Sequence, residues 1–168
     1  MTVCYREARP PCDTPPPFYV TVVAGPGLNP DEGHRALPTQ FLVLQLRSTA
    51  RFDKAGFDDL WQHAKDVLGD ELLQSNELSV APGATVTAGF PRAPQATMVA
   101  VIGVFRERAG EAWRALAPLP GVAADKCSTQ PVPLKRRPAP GDIELRFEAD
   151  GVRVENHTPP PIVHSGCG

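Results

Sequence analysis

The sequence lacks an apolar run of the roughly 20 residues that a membrane-spanning helix requires. It also lacks a basic stripe, because its formal net charge is -2 and its run Lys135, Arg136 and Arg137 is short and lies between prolines. Proteins that bind nucleic acid normally cluster Lys and Arg on one face to contact phosphates. We therefore expect neither a membrane-spanning helix nor a nucleic-acid partner.

Catalytic and cofactor-binding motifs are missing as well. No serine stands in a nucleophile-elbow context, the histidines show no paired ligand spacing, and no glycine-rich loop is built to cradle a phosphate. Asp31, Glu32 and His34 share one loop and have the side chains of a metal or acid–base site. In a solvated turn, however, such residues more commonly contact water and the local backbone. We therefore expect no enzyme activity, no metal and no cofactor.

Proline is abundant, with 20 residues concentrated towards the two ends of the chain. Proline lacks an amide donor and so cannot enter the interior of a sheet. We expect a proline-rich leader or tether over residues 1–17 and a proline-containing tail over residues 157–168. Residues 18–156 between them are expected to form one folded domain.

The four cysteines, Cys4, Cys12, Cys127 and Cys167, lie in or beside segments rich in Pro or Gly. Disulfides would require an oxidising compartment, and four cysteines allow three pairings. We expect at least one disulfide to tie a proline-rich end to the folded domain, with Cys12–Cys127 slightly favoured. A zinc site with Cys127, His164 and Cys167 is the less favoured alternative, because zinc sites usually present two close ligand pairs.

Periodicity predicts a mainly β domain. One helix is expected, since Phe57, Leu60, Trp61, Ala64 and Leu68 follow helical spacing. Apolar runs and period-two alternation, bounded by Gly, Pro and Asp-Gly turns, predict the strands. The expected strands are residues 18–24, 41–46, 72–80, 85–90, 98–105, 112–117, 143–147 and 152–155. Seven or eight short strands with one short helical insertion are typical of a β-sandwich.

A long loop separates the first two predicted strands. Residues 25–37 contain an Asn-Pro pair and several glycines, which predicts an exposed connection. The backbone groups of such a loop must bind water, its own side chains or another molecule. The loop is therefore the first candidate for a binding surface.

Several segments, in chain order, resemble the TssJ family, the outer-membrane lipoproteins of the type VI secretion system. The resemblance runs roughly from Val20 to Leu116, and the final hairpin is consistent with it. It is carried by residues 29–31, 41–46, 52, 57–61, 67–70, 81–83, 99–106 and 113–114. In the family the strand that corresponds to residues 41–46 also ends in Gln-Leu, as Gln45 and Leu46 do here.

The resemblance implies a transthyretin-like β-sandwich and a non-enzymatic adaptor on the periplasmic face of the outer membrane. It implies a lipid anchor on an N-terminal cysteine, for which Cys4 is the first candidate and Cys12 the second. No signal sequence precedes either cysteine in this chain. The implied partner is the periplasmic domain of a TssM-like inner-membrane protein, and through it a TssL-like protein. The implied contacts lie in the 25–37 loop and are Leu28, Asn29, Pro30, Asp31, Glu32, His34 and Arg35.

A different class of function also fits a transthyretin-like sandwich. A secreted or periplasmic ligand-binding or carbohydrate-binding domain would present exposed aromatic residues around a pocket. Aromatic residues make up only 7% of this sequence, and Trp61 and Trp113 stand in patterns typical of core packing. We therefore favour the adaptor over the ligand-binding domain.

Overall fold

The computed structural model describes residues 15–108, 110–119 and 142–156, and of Asn156 the backbone alone. Eight strands form two four-stranded sheets, in the orders β4-β1-β7-β8 and β3-β2-β5-β6. Neighbouring strands are antiparallel except β1 and β7, which are parallel. The strands are β1 (Phe18–Ala24), β2 (Thr39–Leu46), β3 (Leu72–Val80), β4 (Thr85–Phe90), β5 (Met98–Gly103), β6 (Arg114–Pro118), β7 (Ile143–Phe147) and β8 (Val152–Asn156).

The central strands are the ones with continuous apolar sequence. β2 and β5 pair with each other inside their sheet, and nearly all of their side chains are buried. In contrast, β7 alternates buried Ile143, Leu145 and Phe147 with half-buried Glu144 and Arg146. One face of β7 therefore lines the core, as period-two alternation predicts.

Aromatic side chains join the two sheets at one end of the sandwich. Phe41 of β2 meets Phe147 of β7 edge-on, with ring centroids 5.1 Å apart. Phe105, which follows β5, lies 5.9 Å from the same Phe147 ring. All three residues are fully buried, and aromatic pairs of this kind stabilise beyond the area they bury.

The predicted sandwich of seven to eight strands is confirmed, with eight strands observed. The fifth strand ends at Gly103 and not at Phe105: the chain bends at Arg106 and Glu107, and the Phe105 ring folds back against Gly103. A Cβ atom at residue 103 would clash with that ring. The glycine therefore leaves room for the Phe105 ring.

The helical insertion between β2 and β3 differs from the prediction. It contains two 3-10 turns (Phe52–Lys54 and Gly69–Glu71) and two short helices, α1 (Phe57–Gln62) and α2 (Ala64–Leu68), in place of one continuous helix. His63, with φ -131° and ψ 28°, leaves helical geometry between them and is exposed. None of the helices in the described part of the chain is long and apolar enough to cross a membrane.

Gln45 gives the Gln-Leu end of β2 a structural purpose. Its side chain has no exposed surface, and both of its polar atoms are used. Nε2 donates to the Pro91 carbonyl at 2.9 Å, and Oε1 accepts from the Ala93 N–H at 2.8 Å. The buried amide therefore fixes the start of the β4–β5 connection, whose backbone groups would otherwise be without these partners.

We expect Gln45→Leu to lower the free energy of unfolding by about 2–4 kcal/mol, because two backbone groups lose a buried partner. Gln40→Leu is the matched control on the same strand. Gln40 is exposed, so its replacement should change stability by less than about 0.5 kcal/mol. Urea unfolding of both variants measures the difference, and equal stabilities would contradict the assigned role of Gln45.

Candidate functional site

The β1–β2 loop, residues 25–37, crosses from one sheet to the other, and hydrogen bonds fix it to β7 and close it on itself. Gly25 N–H donates to the Phe147 carbonyl of β7 at 2.8 Å, and Leu37 N–H donates to the Leu28 carbonyl at 3.0 Å. The Leu28 side chain has no exposed surface and belongs to the hydrophobic core. The base of the loop is therefore part of the folded body.

Asn29 connects the loop to the segment that follows β5. Its Nδ2 donates to the Val104 carbonyl at 3.3 Å, and its Oδ1 accepts from the Arg106 N–H at 2.8 Å. The residue is 5% exposed and has a positive φ of 45°, a conformation that Asn tolerates better than most residues. The Asn29 side chain thus supplies hydrogen bonds that a neighbouring strand would otherwise give to the backbone after β5.

The loop tip, residues 30–35, is organised around the Asp31 carboxylate. Oδ1 accepts from the N–H groups of Gly33 and Arg35, both at 2.9 Å, and Oδ2 lies 3.1 Å from Arg35 Nε. The Asp31 N–H donates in turn to the Arg35 carbonyl at 2.8 Å. The hydrogen bonds from Arg35 first, and those from Gly33, outweigh the effect of burial and lower the pKa of Asp31.

Three charged or titratable side chains project from this tip into solvent. Glu32 and Arg35 have side-chain exposures of 96% and 84%, and His34 is also exposed. Arg106 Nη2 lies 3.9 Å from Glu32 Oε1, so the segment after β5 adds a basic group to the same surface. A surface of both signs, supported from below by a buried base, is suited to protein recognition.

The sequence-based prediction needs correction at two of its seven contact residues. Leu28 and Asn29 are buried, so their side chains cannot meet a partner while the domain stays folded. They position the tip instead. Pro30 and Asp31 are half-buried, and Glu32, His34 and Arg35 are exposed.

Sequence reasoning missed Arg106 and Glu107, which line the shallow polar surface beside Pro30, Asp31 and Glu32. They are more than 70 positions away in the sequence, and only the sheet topology brings them to the tip. A local sequence pattern has no means of reporting such a neighbour.

Other predicted sites are not described by the structure. Cys4, Cys12, Cys127 and Cys167, and His164 of the alternative zinc site, lie outside the described residues. Their lipid, disulfide and metal roles stay predictions. In the described part of the chain, no three His, Cys, Asp or Glu side chains are placed to hold a metal ion.

The two tryptophans have the packing that the sequence predicted. Trp113 is 4% exposed and meets the Phe57 ring edge-on at 5.4 Å. Trp61 is half-buried and stacks on Phe57 with ring centroids 6.3 Å apart. Neither forms part of the loop surface.

Comparison with known families decides the family of the chain. Residues 17–139 match the family profile T6SS-SciN, described as type VI secretion lipoprotein, VasD, EvfM and TssJ. The chain belongs to this family. The match spans most of the sandwich, including the loop and the helical insertion, and confirms the resemblance found in the sequence.

Solved structures agree with this assignment. The type VI secretion lipoprotein TssJ1 from Pseudomonas aeruginosa is 19% identical, with a TM-score of 0.68 over 87% of this chain and 99% of that one. Lip from Serratia marcescens, described as a membrane-bound component of the type VI secretion system, is 27% identical, with a TM-score of 0.68 over 83% and 97%.

A chain in a structure described as the TssM C-terminal domain from EAEC is also similar in fold. It is 14% identical, with a TM-score of 0.64 over 83% of this chain and 98% of that one. None of the curated protein sequences compared with the chain matches it.

We expect Asn29→Ala to lower the free energy of unfolding by about 1–3 kcal/mol more than His34→Ala does. Both positions have positive φ, 45° and 61°, so the backbone strain of an alanine is shared by the two variants. The additional loss of unfolding free energy in Asn29→Ala measures the contribution of the hydrogen bonds of the Asn29 side chain. Chemical unfolding measures it, and identical losses would show that Asn29 acts through its backbone conformation alone.

The lowered pKa of Asp31 predicts an acid-sensitive tip. A depressed folded-state pKa means that ionised Asp31 stabilises the fold above the unfolded value of about 3.9, and that this stabilisation is lost as pH falls through the folded-state pKa. NMR titration should place the carboxylate below its usual range. In the parent protein, protonation of Asp31 at low pH should also reduce the hydrogen-exchange protection of the Gly33 and Arg35 amides, and Asp31→Asn should not show this pH-dependent loss. An unshifted pKa would contradict the hydrogen bonds assigned to Asp31.

Proposed function

We propose that this protein is a non-enzymatic periplasmic adaptor that docks a TssM-type inner-membrane protein through the tip of its β1–β2 loop. The observation that carries the proposal is the contrast within the loop. Leu28 and Asn29 are buried in the body, whereas Glu32, His34 and Arg35 project from a tip held by internal hydrogen bonds. Such a tip is already ordered before binding, which reduces the entropic cost of association.

The chemistry of the tip indicates how a partner would be recognised. Glu32, Arg35 and Arg106 present charges of both signs within one small surface. Exposed charges of this kind set orientation and association rate more than affinity. We infer that the partner presents the complementary arrangement of charges, together with backbone groups that reach the half-buried Pro30.

Family membership supports the membrane setting of the proposal. The family is one of type VI secretion lipoproteins, and the fold resembles a chain from a structure that concerns a TssM C-terminal domain. We propose that a lipidated N-terminal cysteine, with Cys4 as first candidate, holds the domain at the periplasmic face of the outer membrane. A TssL-like protein would then be reached through TssM.

The test is a variant that changes the tip without removing its support. In Glu32→Ala/His34→Asn/Arg35→Ala, the buried Leu28 and Asn29 and the two backbone hydrogen bonds of the Asp31 carboxylate remain, and only its contact with Arg35 Nε is lost. Asn at position 34 tolerates the positive φ. We expect the thermal midpoint to change little and the affinity for a TssM periplasmic domain to fall at least about tenfold, which corresponds to about 1.4 kcal/mol.

The matched control changes three exposed residues of the helical insertion, in Asp58→Ala/Gln62→Ala/Lys65→Ala. This variant should bind the TssM domain as the parent does, in the same calorimetric titration. A folded tip variant with parental affinity would dispose of the loop as the docking surface. Loss of binding in the control together with parental affinity of the tip variant would move the surface to the helical insertion.

A further inference from the structure

The edge strands on the two sides of the sandwich differ in how well they are protected against pairing with another strand. On one side, β6 and β8 lie against each other, and the Val152 N–H of β8 donates to the Ala112 carbonyl just before β6 at 2.8 Å. β6 ends in Pro118, and β8 carries the exposed Arg153 and Glu155. Short length, proline and charge are the usual protection of a sheet edge against further pairing.

The opposite side, formed by β3 and β4, has less of this protection among the described residues, where Glu77 is the single charge. β3 is the longest strand, and its segment Gln74, Ser75, Asn76, Glu77, Leu78 and Ser79 contains no Lys, Arg or Pro. β4 is uncharged throughout. Within the described part of the chain, no backbone group of either strand bonds outside its own sheet, so half of the β3 N–H and C=O groups point outwards without a backbone partner.

A groove of about 380 Å³ runs between these two edges. Its apolar wall comes from Leu78 of β3 and from Val86, Ala88 and Phe90 of β4, with Pro91 at one end. Leu78, Val86 and Ala88 are half-buried and pack on the core, so their outer surfaces are open to solvent. None of the residues that line the groove belongs to the loop tip.

We propose that this groove is a second interaction surface, which takes one extended segment of a partner protein as an additional strand on β3. The free backbone groups of β3 select a strand, because a helix or a small molecule has no matching row of donors and acceptors. Alternate side chains of the added strand would face Leu78, Val86 and Phe90 and must be apolar. The remaining side chains face outwards beside Glu77, the single charge of β3, which selects a Lys or Arg.

The probe is a ten-residue acetylated peptide that alternates Val with Thr and carries one central Lys. Hydrogen exchange of the full chain is followed with and without saturating peptide. We expect slower exchange at the outward amides of β3 between Gln74 and Ser79, and no change at β8. The same peptide with N-methyl groups along one edge, which removes its hydrogen-bond donors there, should lose this effect.

Charge reversal supplies the specific control. Glu77→Lys changes an exposed side chain. It should lower the affinity for the Lys peptide by up to about fivefold, which is the range of a cross-strand charge pair. A peptide with Glu in place of the central Lys should regain that affinity on the variant. Arg153→Glu, a charge reversal on the opposite edge strand, should leave binding of both peptides unchanged.

Several outcomes would overturn the proposal. These are no protection of β3 at saturation, equal protection by the N-methylated peptide, or equal effects of the two charge reversals. Binding that appears only after removal of residues 1–14 would assign the groove to the chain's own leader. A dimer by sedimentation that the peptide fails to dissociate would assign it to a second copy. The loop-tip variant should still bind the peptide, so failure of either proposal leaves the other intact.

Discussion

The chain must cross from one sheet to the other after β1, and the burial of Leu28 and Asn29 fixes how it does so. Leu28 enters the core, and Asn29 binds the backbone of Val104 and Arg106 beyond the end of β5. The same end contains the contacts of Phe41 and Phe105 with Phe147, which hold the two sheets together. Loop position and sheet packing therefore depend on one another.

This coupling explains how a long loop can be both exposed and ordered. The apolar and amide groups at its base are used internally, so the tip needs few contacts of its own to keep its shape. The Asp31 carboxylate provides them by accepting from two backbone N–H groups in a turn of a few residues. A rigid body thus presents a small polar surface, an arrangement common where loops bind partners.

The edge strands of the sandwich are not equally covered. β6 and β8 lie against each other, whereas β3 and β4 leave, within the described part of the chain, an apolar groove between two strands that carry one charge, Glu77. An open sheet edge is normally selected against because it invites uncontrolled pairing. Its presence beside a well-packed core is the reason to regard it as a surface for an extended segment, and its lining shares no residue with the loop tip.

Family and strand pattern were accessible from the sequence because both rest on local order along the chain. Alternation marks β7 and β8, continuous apolar runs mark β2 and β5, and the loop follows from its Asn-Pro pair and glycines. Helix length was not accessible, because the departure of His63 from helical geometry leaves no trace in the apolar spacing of residues 57–68.

The exposed residues of the site could be identified only from the tertiary structure, for the same physical reason. Leu28 in a Gly- and Pro-rich segment resembles an exposed anchor, and burial depends on what packs above it, which the neighbouring sequence does not contain. The approach of Arg106 to Glu32 and the groove between β3 and β4 arise from strand order alone. Local sequence determined which segments are strands and where the loop lies, and only long-range packing decided which of its side chains are buried and which face solvent.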